Sequence, residues 1–179
     1  MMSQATPTPA DIERAIRTVP DFPKPGIQFK DITPVLADAR LFRGAIAELI
    51  KPFEPGSVDA VVGIDARGFI FAAAAAVQLQ AGFVPVRKKG KLPYTTLEQD
   101  YALEYGVSTV AMHTDALKPG ARVILIDDLL ATGGTAAAAA ELVKKLGAHI
   151  LEASFLIELS FLKGREKLPG VPVRSVVCY

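Results

Sequence analysis

The segment that most constrains the fold is Val123–Thr135, with the sequence VILIDDLLATGGT. It starts with apolar, mostly β-branched residues, continues through the adjacent acids Asp127 and Asp128, and ends in a glycine-rich turn before an alanine-rich stretch. A short apolar run of this kind is typical of a strand buried on both faces of a sheet. A strand that passes directly into a helix predicts a parallel sheet, because parallel neighbours must be joined by a crossover.

The rest of the chain repeats this alternation of short β-branched runs and longer segments of helical character. The predicted strands are Ala60–Ile64, Phe83–Arg87, Arg122–Ile126, Ile150–Ile157 and Val173–Val177, and the predicted helices are Leu41–Phe53, a helix from Phe69, and Thr135–Leu146. This order predicts an α/β fold with a mostly parallel twisted sheet flanked by helices. We predict a loop at Asp127–Gly134 and a less regular region at Tyr94–Ala116.

The N-terminal part of the chain has a different character. Residues 1–9 are small, polar and proline-containing, and we predict that they are disordered. Asp11–Val19 has helical spacing with Asp11 as the expected N-cap. Three prolines and a glycine exclude a regular helix over Pro20–Asp31, which is either a stiff connection or a hood over a binding site. With no internal repeat, residues 10–179 are predicted to form one domain.

Composition narrows the class of protein. A net charge of +1 gives no reason to expect nucleic acid or an anionic membrane as a partner. The longest apolar stretch, Phe69–Val77, is too short to cross a bilayer, and the first residues do not resemble a secretory signal. Cys178 is the single cysteine, which favours a reducing compartment. We therefore expect a cytoplasmic protein.

The glycine-rich turn of the opening segment has the chemistry of an anion site. Ala131–Thr135 places small residues and two glycines at a helix N-terminus, where free N–H groups can surround a phosphate. Asp127 and Asp128 cannot bind phosphate, but they suit sugar hydroxyls or a metal held through water. No Gly-Lys-Ser/Thr follows and no GxGxxG is present, so the turn is neither a Walker loop nor a dinucleotide fingerprint.

Six segments, in the same order, resemble one family. They are DFPKPGIQFKDITPVL, GIDARGFIF, VPVRKKGKLP, LEYG, VILIDDLLATGGT and LIELSFLKGREKL. Over roughly residues 20–179 the chain resembles the adenine-specific branch of the type I phosphoribosyltransferases. This resemblance implies the type I phosphoribosyltransferase fold, with an N-terminal hood at about residues 20–35 over the base site.

The resemblance also implies a reaction. Adenine and 5-phosphoribosyl 1-pyrophosphate would give AMP and diphosphate, through an oxocarbenium-like transition state. The implied cofactor is Mg²⁺, held mainly by substrate oxygens and water rather than by a cage of protein ligands. A homodimer is implied as well, with Arg87 and the small-residue helix at Phe69–Val77 as contributors.

Each part of the substrate has implied protein partners. The 5′-phosphate belongs to Ala131, Thr132, Gly133, Gly134 and Thr135, and the ribose hydroxyls belong to Asp127 and Asp128. Diphosphate is expected to meet Arg67, Arg87, Lys88 and Lys91. In the family the turn before this first arginine contains a cis peptide bond, which here would join Asp65 and Ala66.

The remaining implied residues concern the base. Glu104 is the expected acid-base group, and Tyr105 beside it would contact the substrate when its loop closes. In the hood, Phe29 would pack on the purine between Gln28 and Lys30, two positions where relatives more often carry an aliphatic residue and arginine. Leu159 is a further candidate for the pocket wall.

Two alternatives stay open on sequence alone. Another purine phosphoribosyltransferase would use hypoxanthine, guanine or xanthine in place of adenine. A regulator that retains the sugar-phosphate fold without catalysis would tolerate the loss of Glu104 and of the basic loop, and would often carry a DNA-binding extension. This chain keeps both features.

Overall fold

The structure, a computed structural model, describes residues 6–102 and 106–179. By its internal contacts the chain divides into two compact units, Met1–Glu48 and Leu49–Tyr179. The prediction of one domain over residues 10–179 stays a prediction. No helix in the described part of the chain is both long enough and apolar enough to cross a membrane.

Short helices and one strand pair make up the N-terminal unit. Thr8 is the N-cap of the first helix, where its hydroxyl and the Asp11 carboxylate form a reciprocal capping box. The two strands pair in antiparallel register, with Val19 opposite Phe29. The elements are α1 (Pro9–Ala15), β1 (Arg17–Pro20), β2 (Gln28–Asp31), α2 (Thr33–Ala37) and α3 (Ala39–Leu49).

Several predictions for this unit need correction. The first helix does not reach Val19, because β-branched Thr18 and Val19 precede Pro20, a context that disfavours helical backbone. Asp11 lies three residues after the N-cap rather than at it. The segment Pro20–Asp31 contains no helix, as predicted, but its end forms β2. Of residues 1–9, predicted to be disordered, residues 1–5 lie outside the described residues, Thr8 is the N-cap of α1, and Pro9 is its first residue.

The C-terminal unit is built on a seven-stranded sheet. Its strand order is β5-β6-β4-β3-β7-β8-β9, in which β4, β3, β7, β8 and β9 are parallel and β6 is antiparallel to both of its neighbours. The elements are β3 (Ala60–Ile64), α4 (Gly68–Leu79), β4 (Gly82–Lys88), β5 (Thr96–Ala102), β6 (Val107–His113), β7 (Arg122–Leu130), α5 (Gly134–Lys145), β8 (His149–Glu158) and β9 (Val173–Cys178), with 3-10 turns at Ser160–Leu162 and Gly164–Lys167.

The predicted strands are all present, but two predictions between them are wrong. Tyr94–Ala116 is not irregular, because it contains β5 and β6, which pair along their full length. The loop predicted at Asp127–Gly134 is shorter, because β8 continues alongside β7 and pairs with Asp127, Leu129 and Leu130. The two acids therefore lie on a strand, which fixes their backbone more firmly than a loop would.

The two alanine-rich helices cover opposite faces of the sheet. Val62 on β3 belongs to the apolar cluster that includes the buried alanines of α5. The next residue, Gly63, faces Ala72 of α4, since successive strand residues point to opposite faces. A Cβ built on Gly63 would lie 2.6 Å from the Cβ of Ala72 and 2.8 Å from the ring of Phe83. Small residues on both elements therefore allow α4 to pack closely on β3.

We expect Gly63→Ala to lower the free energy of unfolding by about 1–3 kcal/mol, because the added methyl group has no room in this contact. Urea unfolding followed by circular dichroism measures the change. Gly82→Ala is the matched control, since its Cβ would make only ordinary contacts, the nearest at 3.6 Å. Equal stability of the two variants would show that α4 can move away from β3 without cost.

Candidate active site

Two adjacent parallel strands bring the predicted phosphate and diphosphate residues to one edge of the sheet. β3 and β7 are paired, with Gly63 opposite Ile126, and each strand is followed by a short turn and a helix. Because the carboxyl ends of parallel strands lie at the same edge, the turn at Asp65–Arg67 lies beside the acids of β7. Both helices direct their N-termini to this edge, where the helix dipole favours anions.

Residues Ala131–Gly133 and the first turn of α5 form the predicted phosphate cradle. Gly133 is the N-cap of α5 with φ of +79°, a left-handed conformation that favours glycine, and it offers no side-chain cap. The first N–H groups of a helix have no acceptor within that helix, so this turn can donate to a ligand. A cavity of about 90 Å³ opens here, lined by Asp127 and by Leu129–Ala136. Thr132 and Thr135 are among the lining residues.

The acid pair of β7 is joined to the turn after β3. Arg67, the N-cap of α4, forms an ion pair with Asp128, whose side chain is almost fully buried, at 2.7 Å between Nε and Oδ2. Asp127 lines the cavity and accepts a hydrogen bond from the Asp128 backbone N–H at 2.8 Å. Asp128 therefore orients the guanidinium, while Asp127 borders the cavity and has its Oδ1 close to Gly68 of α4.

The two carboxylates lie in an environment that disfavours their charge. Burial, and then the negative charge of Asp128, raise the pKa of Asp127 well above its ordinary value. Burial also raises the pKa of Asp128, against the opposing effect of Arg67. A bound hydroxyl group or cation would offset the free-energy cost of ionisation, because either ligand stabilises the charged carboxylates.

The predicted diphosphate-binding cations at the end of β4 and in the turn after it divide into a clamp and two exposed lysines. Arg87 donates from Nε to Asp65 at 2.9 Å and from Nη1 to the Lys91 carbonyl at 2.9 Å. It therefore ties the turn after β3 to the turn after β4. Lys88 and Lys91 are exposed, and the Lys91 N–H donates to the Lys88 carbonyl at 3.1 Å. The Asp65–Ala66 peptide bond is cis, as the resemblance implies.

Residues predicted to contact the base are placed less completely. Leu159 follows β8, is half-buried, and donates its N–H to the Leu130 carbonyl at 2.9 Å, so it lies next to the cradle. Glu104 and Tyr105 lie outside the described residues. The hood residues Gln28, Phe29 and Lys30 are on β2 of the N-terminal unit. Their predicted role in covering the base stays a prediction.

Three further residues that were not predicted from the sequence shape this site. Asp65 is the carboxylate that holds Arg87. Tyr101 of β5 lies against the first turn of α5, with its ring 3.2 Å from a Cβ built on Gly134. Gly164 packs against the cradle loop. The signal for Gly164 was available, since it lies in the segment LIELSFLKGREKL that carries the resemblance, whereas no sequence pattern marks Tyr101.

Comparison with known proteins identifies the family of this chain. Residues 29–168 match the family described as the phosphoribosyl transferase domain. An adenine phosphoribosyltransferase from Acidothermus cellulolyticus is 57% identical over 173 residues, which cover 94% of this chain and 98% of the relative. The chain belongs to the adenine phosphoribosyltransferase family. The family resemblance predicted from the six segments is therefore confirmed.

Solved structures of adenine phosphoribosyltransferases have the same fold. The enzyme from Rhodothermus marinus superimposes with a TM-score of 0.91 at 55% identity, covering 96% of this chain and 98% of that one. The Saccharomyces cerevisiae enzyme, complexed with adenine and an imino-altritol bisphosphate, gives a TM-score of 0.89 at 41% identity, covering 94% and 97%. These matches confirm the type I phosphoribosyltransferase fold.

Proposed function

We propose that this chain is an adenine phosphoribosyltransferase that converts adenine and 5-phosphoribosyl 1-pyrophosphate to AMP and diphosphate in purine salvage. The observation that carries the proposal is the joining of a helix N-terminal cradle, an adjacent acid pair and Arg67 at one sheet edge. The sequence identity of more than 50% to adenine phosphoribosyltransferases supports the same conclusion.

The site residues divide the sugar substrate among them. The N–H groups and hydroxyls of Ala131–Thr135 would hold the 5′-phosphate, because they donate without adding a fixed charge. Asp127 and Asp128 would accept the ribose hydroxyls. Arg67 would hold diphosphate at the N-terminus of α4, with Lys88 and Lys91 as exposed cations. Arg87 would then contribute by holding both turns in place.

Bond cleavage places opposite charges on the two parts of the substrate. The C1–O bond breaks toward the diphosphate oxygen, so the ribose gains cationic character and the leaving group gains negative charge. Fixed donors at the leaving group stabilise this separation better than water, since they need no reorganisation. Glu104 would exchange a proton with the purine, and Tyr105 would close over the substrate; both roles rest on the family resemblance.

Residues at the acid pair fit Mg²⁺ as the cofactor. The family generally uses Mg²⁺ with this sugar substrate, and carboxylate oxygens are the hard ligands that the ion prefers. Asp127 is the better placed of the two, because it lines the cavity while Asp128 is paired with Arg67. Bound there with substrate and water oxygens, the ion would supply positive charge to the departing diphosphate.

We propose that the hood residues and Leu159 determine which purine base is bound. Adenine offers a donor at N6 and an acceptor at N1, whereas a 6-oxopurine has the reverse pattern and would leave buried groups unpaired. Phe29 would pack on the purine, with Gln28 and Lys30 beside it. Phe29 already makes an edge-to-face contact with Phe22 at 5.1 Å, so its ring is oriented within the N-terminal unit.

The proposal predicts a strong preference for adenine. Initial rates with saturating sugar substrate and Mg²⁺, measured for adenine and for hypoxanthine, should differ in kcat/KM by about 10⁴-fold. Guanine and xanthine serve as further comparisons. Equal or better use of hypoxanthine would assign the chain to another purine, and no turnover of any base would favour a non-catalytic binding module.

We also propose a cytoplasmic homodimer. Support for self-association comes from α4, which exposes Ile70 and Val77 on the side away from β3, with Val77 80% exposed. Exposed apolar residues two turns apart lie on the same face of a helix and are typical of a contact surface. Arg87 is the second contributor that the family resemblance implies.

A further inference from the structure

The cradle loop Ala131–Gly133 packs against the backbone of another segment rather than against side chains. Gly164 begins the second 3-10 turn and is buried. A Cβ built on Gly133 would overlap the Gly164 carbonyl oxygen and lie 3.0 Å from its Cα. A Cβ built on Gly164 would overlap the Ala131 carbonyl oxygen. The cradle loop and Gly164 therefore meet in a reciprocal Cα–H to carbonyl contact.

An ion pair anchors the residue that follows. Arg165 donates from Nε to Glu158 Oε1 at 2.7 Å and from Nη2 to Oε2 at 2.6 Å. Its Nη1 also donates to the Val173 carbonyl at 2.9 Å, so the guanidinium bridges the ends of β8 and β9. Glu158 is 4% exposed and also accepts from the Ser175 hydroxyl.

The Glu158 carboxylate of this ion pair stays ionised across the neutral pH range. Hydrogen bonding from Arg165 lowers the pKa of Glu158, and Ser175 adds to the effect. A planar guanidinium bound through two nitrogens to one carboxylate has little rotational freedom. Arg165 therefore fixes the backbone of the adjacent Gly164 relative to β8. The residue that follows β8, Leu159, is in turn hydrogen-bonded to Leu130 at the end of β7.

We infer that Gly164 is a positioning residue for the 5′-phosphate, held by the Arg165–Glu158 ion pair, and that it keeps the cradle loop Ala131–Gly133 in its ligand-binding shape. This inference rests on the proposed function, since it assigns the phosphate to that loop. Gly164 acts through the loop backbone, and its lack of a side chain is what allows the close approach.

The test is Gly164→Ala. The added methyl group would meet the Ala131 carbonyl and, at 3.0 Å, the side chain of Leu130, so the loop must shift. Because displacements near 1 Å in a binding site can cost about 10²-fold, we expect the Kd of ribose 5-phosphate and the KM of the sugar substrate to rise about 10-fold or more. The KM of adenine should stay near the wild-type value, measured by calorimetry and initial rates.

Two further variants separate positioning from folding. Gly82→Ala is the matched glycine control and should bind ribose 5-phosphate as the wild type does. Arg165→Lys keeps the charge but loses the paired donors, so it should weaken ribose 5-phosphate binding with little effect on adenine, even if Gly164→Ala does not fold. A lower melting temperature with unchanged ribose 5-phosphate affinity in both Gly164→Ala and Arg165→Lys, or in Arg165→Lys alone where Gly164→Ala does not fold, would reduce Gly164 to a structural residue and overturn the inference.

Wild-type measurements distinguish this failure from that of the proposed function. If the wild-type protein binds ribose 5-phosphate and turns over adenine, unchanged affinity in both variants overturns the role of Gly164 alone. A wild-type protein that neither binds ribose 5-phosphate nor turns over a purine overturns the proposed function and this inference together.

Discussion

Replacing Arg67 with glutamine is expected to lower kcat/KM for the sugar substrate by about 10²- to 10³-fold, the usual loss when one fixed donor to developing negative charge is removed. Arg67 is the N-cap of α4 and is oriented by the buried Asp128. Glutamine keeps part of the side-chain length but supplies neither the charge nor the planar fork. Initial rates at varied sugar-substrate concentration measure the effect.

The loss should appear mainly in the handling of diphosphate. Binding of inorganic diphosphate, measured by calorimetry, should weaken far more than binding of ribose 5-phosphate, which contacts the cradle of α5 instead. Arg122→Gln is the matched control, because Arg122 is also ion-paired, to Asp59 at 2.8 Å, but at the amino end of β7. Unaltered kinetics in Arg67→Gln would remove this arginine from the site.

Local chemistry explains why the fold of the C-terminal unit could be predicted. The parallel strands contain short apolar runs, and β3 and β7 are each followed by an alanine-rich helix, so period and composition agree. The hairpin of β5 and β6 could not be predicted in the same way. β5 is the edge strand and alternates exposed with half-buried residues, so its structure depends on pairing with β6 rather than on a local apolar run.

In the site, too, some features follow from adjacent residues and others depend on contacts between residues that are far apart in the sequence. The cradle follows from glycines, threonines and a helix start that are adjacent in the sequence. The ion pairs of Arg67 with Asp128 and of Arg87 with Asp65 join residues that are far apart in the chain, so they depend on strand order. Spacing cannot reveal them, because only the pairing of β3 with β4 and β7 brings their turns together.

Asp127→Asn should make the unliganded protein more stable at pH 8 while lowering kcat/KM by about 10²- to 10³-fold. The folded-state pKa of Asp127 is raised well above 3.8, mainly by burial and by the charge of Asp128. A raised pKa stabilises the folded protein fully below the unfolded pKa, and this stabilisation is lost as pH rises through the folded pKa. Asparagine is neutral throughout, so it does not lose this stability.

Thermal unfolding across pH tests this prediction. The melting temperature of Asp127→Asn should exceed that of the wild type at pH 8, and the difference should shrink toward pH 4, where the wild-type acid is also neutral. Asparagine keeps a carbonyl oxygen for the Asp128 N–H, so the backbone contact at 2.8 Å can persist. Asp115→Asn, at an exposed turn between β6 and β7, is the control and should change neither activity nor the pH profile.

Ligand should reverse the order of stability. If ribose 5-phosphate with Mg²⁺ binds only the folded protein, it raises the melting temperature by an amount that increases with the logarithm of its concentration divided by its Kd. The ionised Asp127 of the wild type destabilises the unliganded protein. When ligand binds, this carboxylate gains hydroxyl or cation partners, to which a neutral asparagine binds more weakly. We expect a larger ligand-induced shift in the wild type than in Asp127→Asn. A variant that is less stable than the wild type at pH 8 and equally stabilised by ligand would mean that Asp127 supports the fold instead of the substrate.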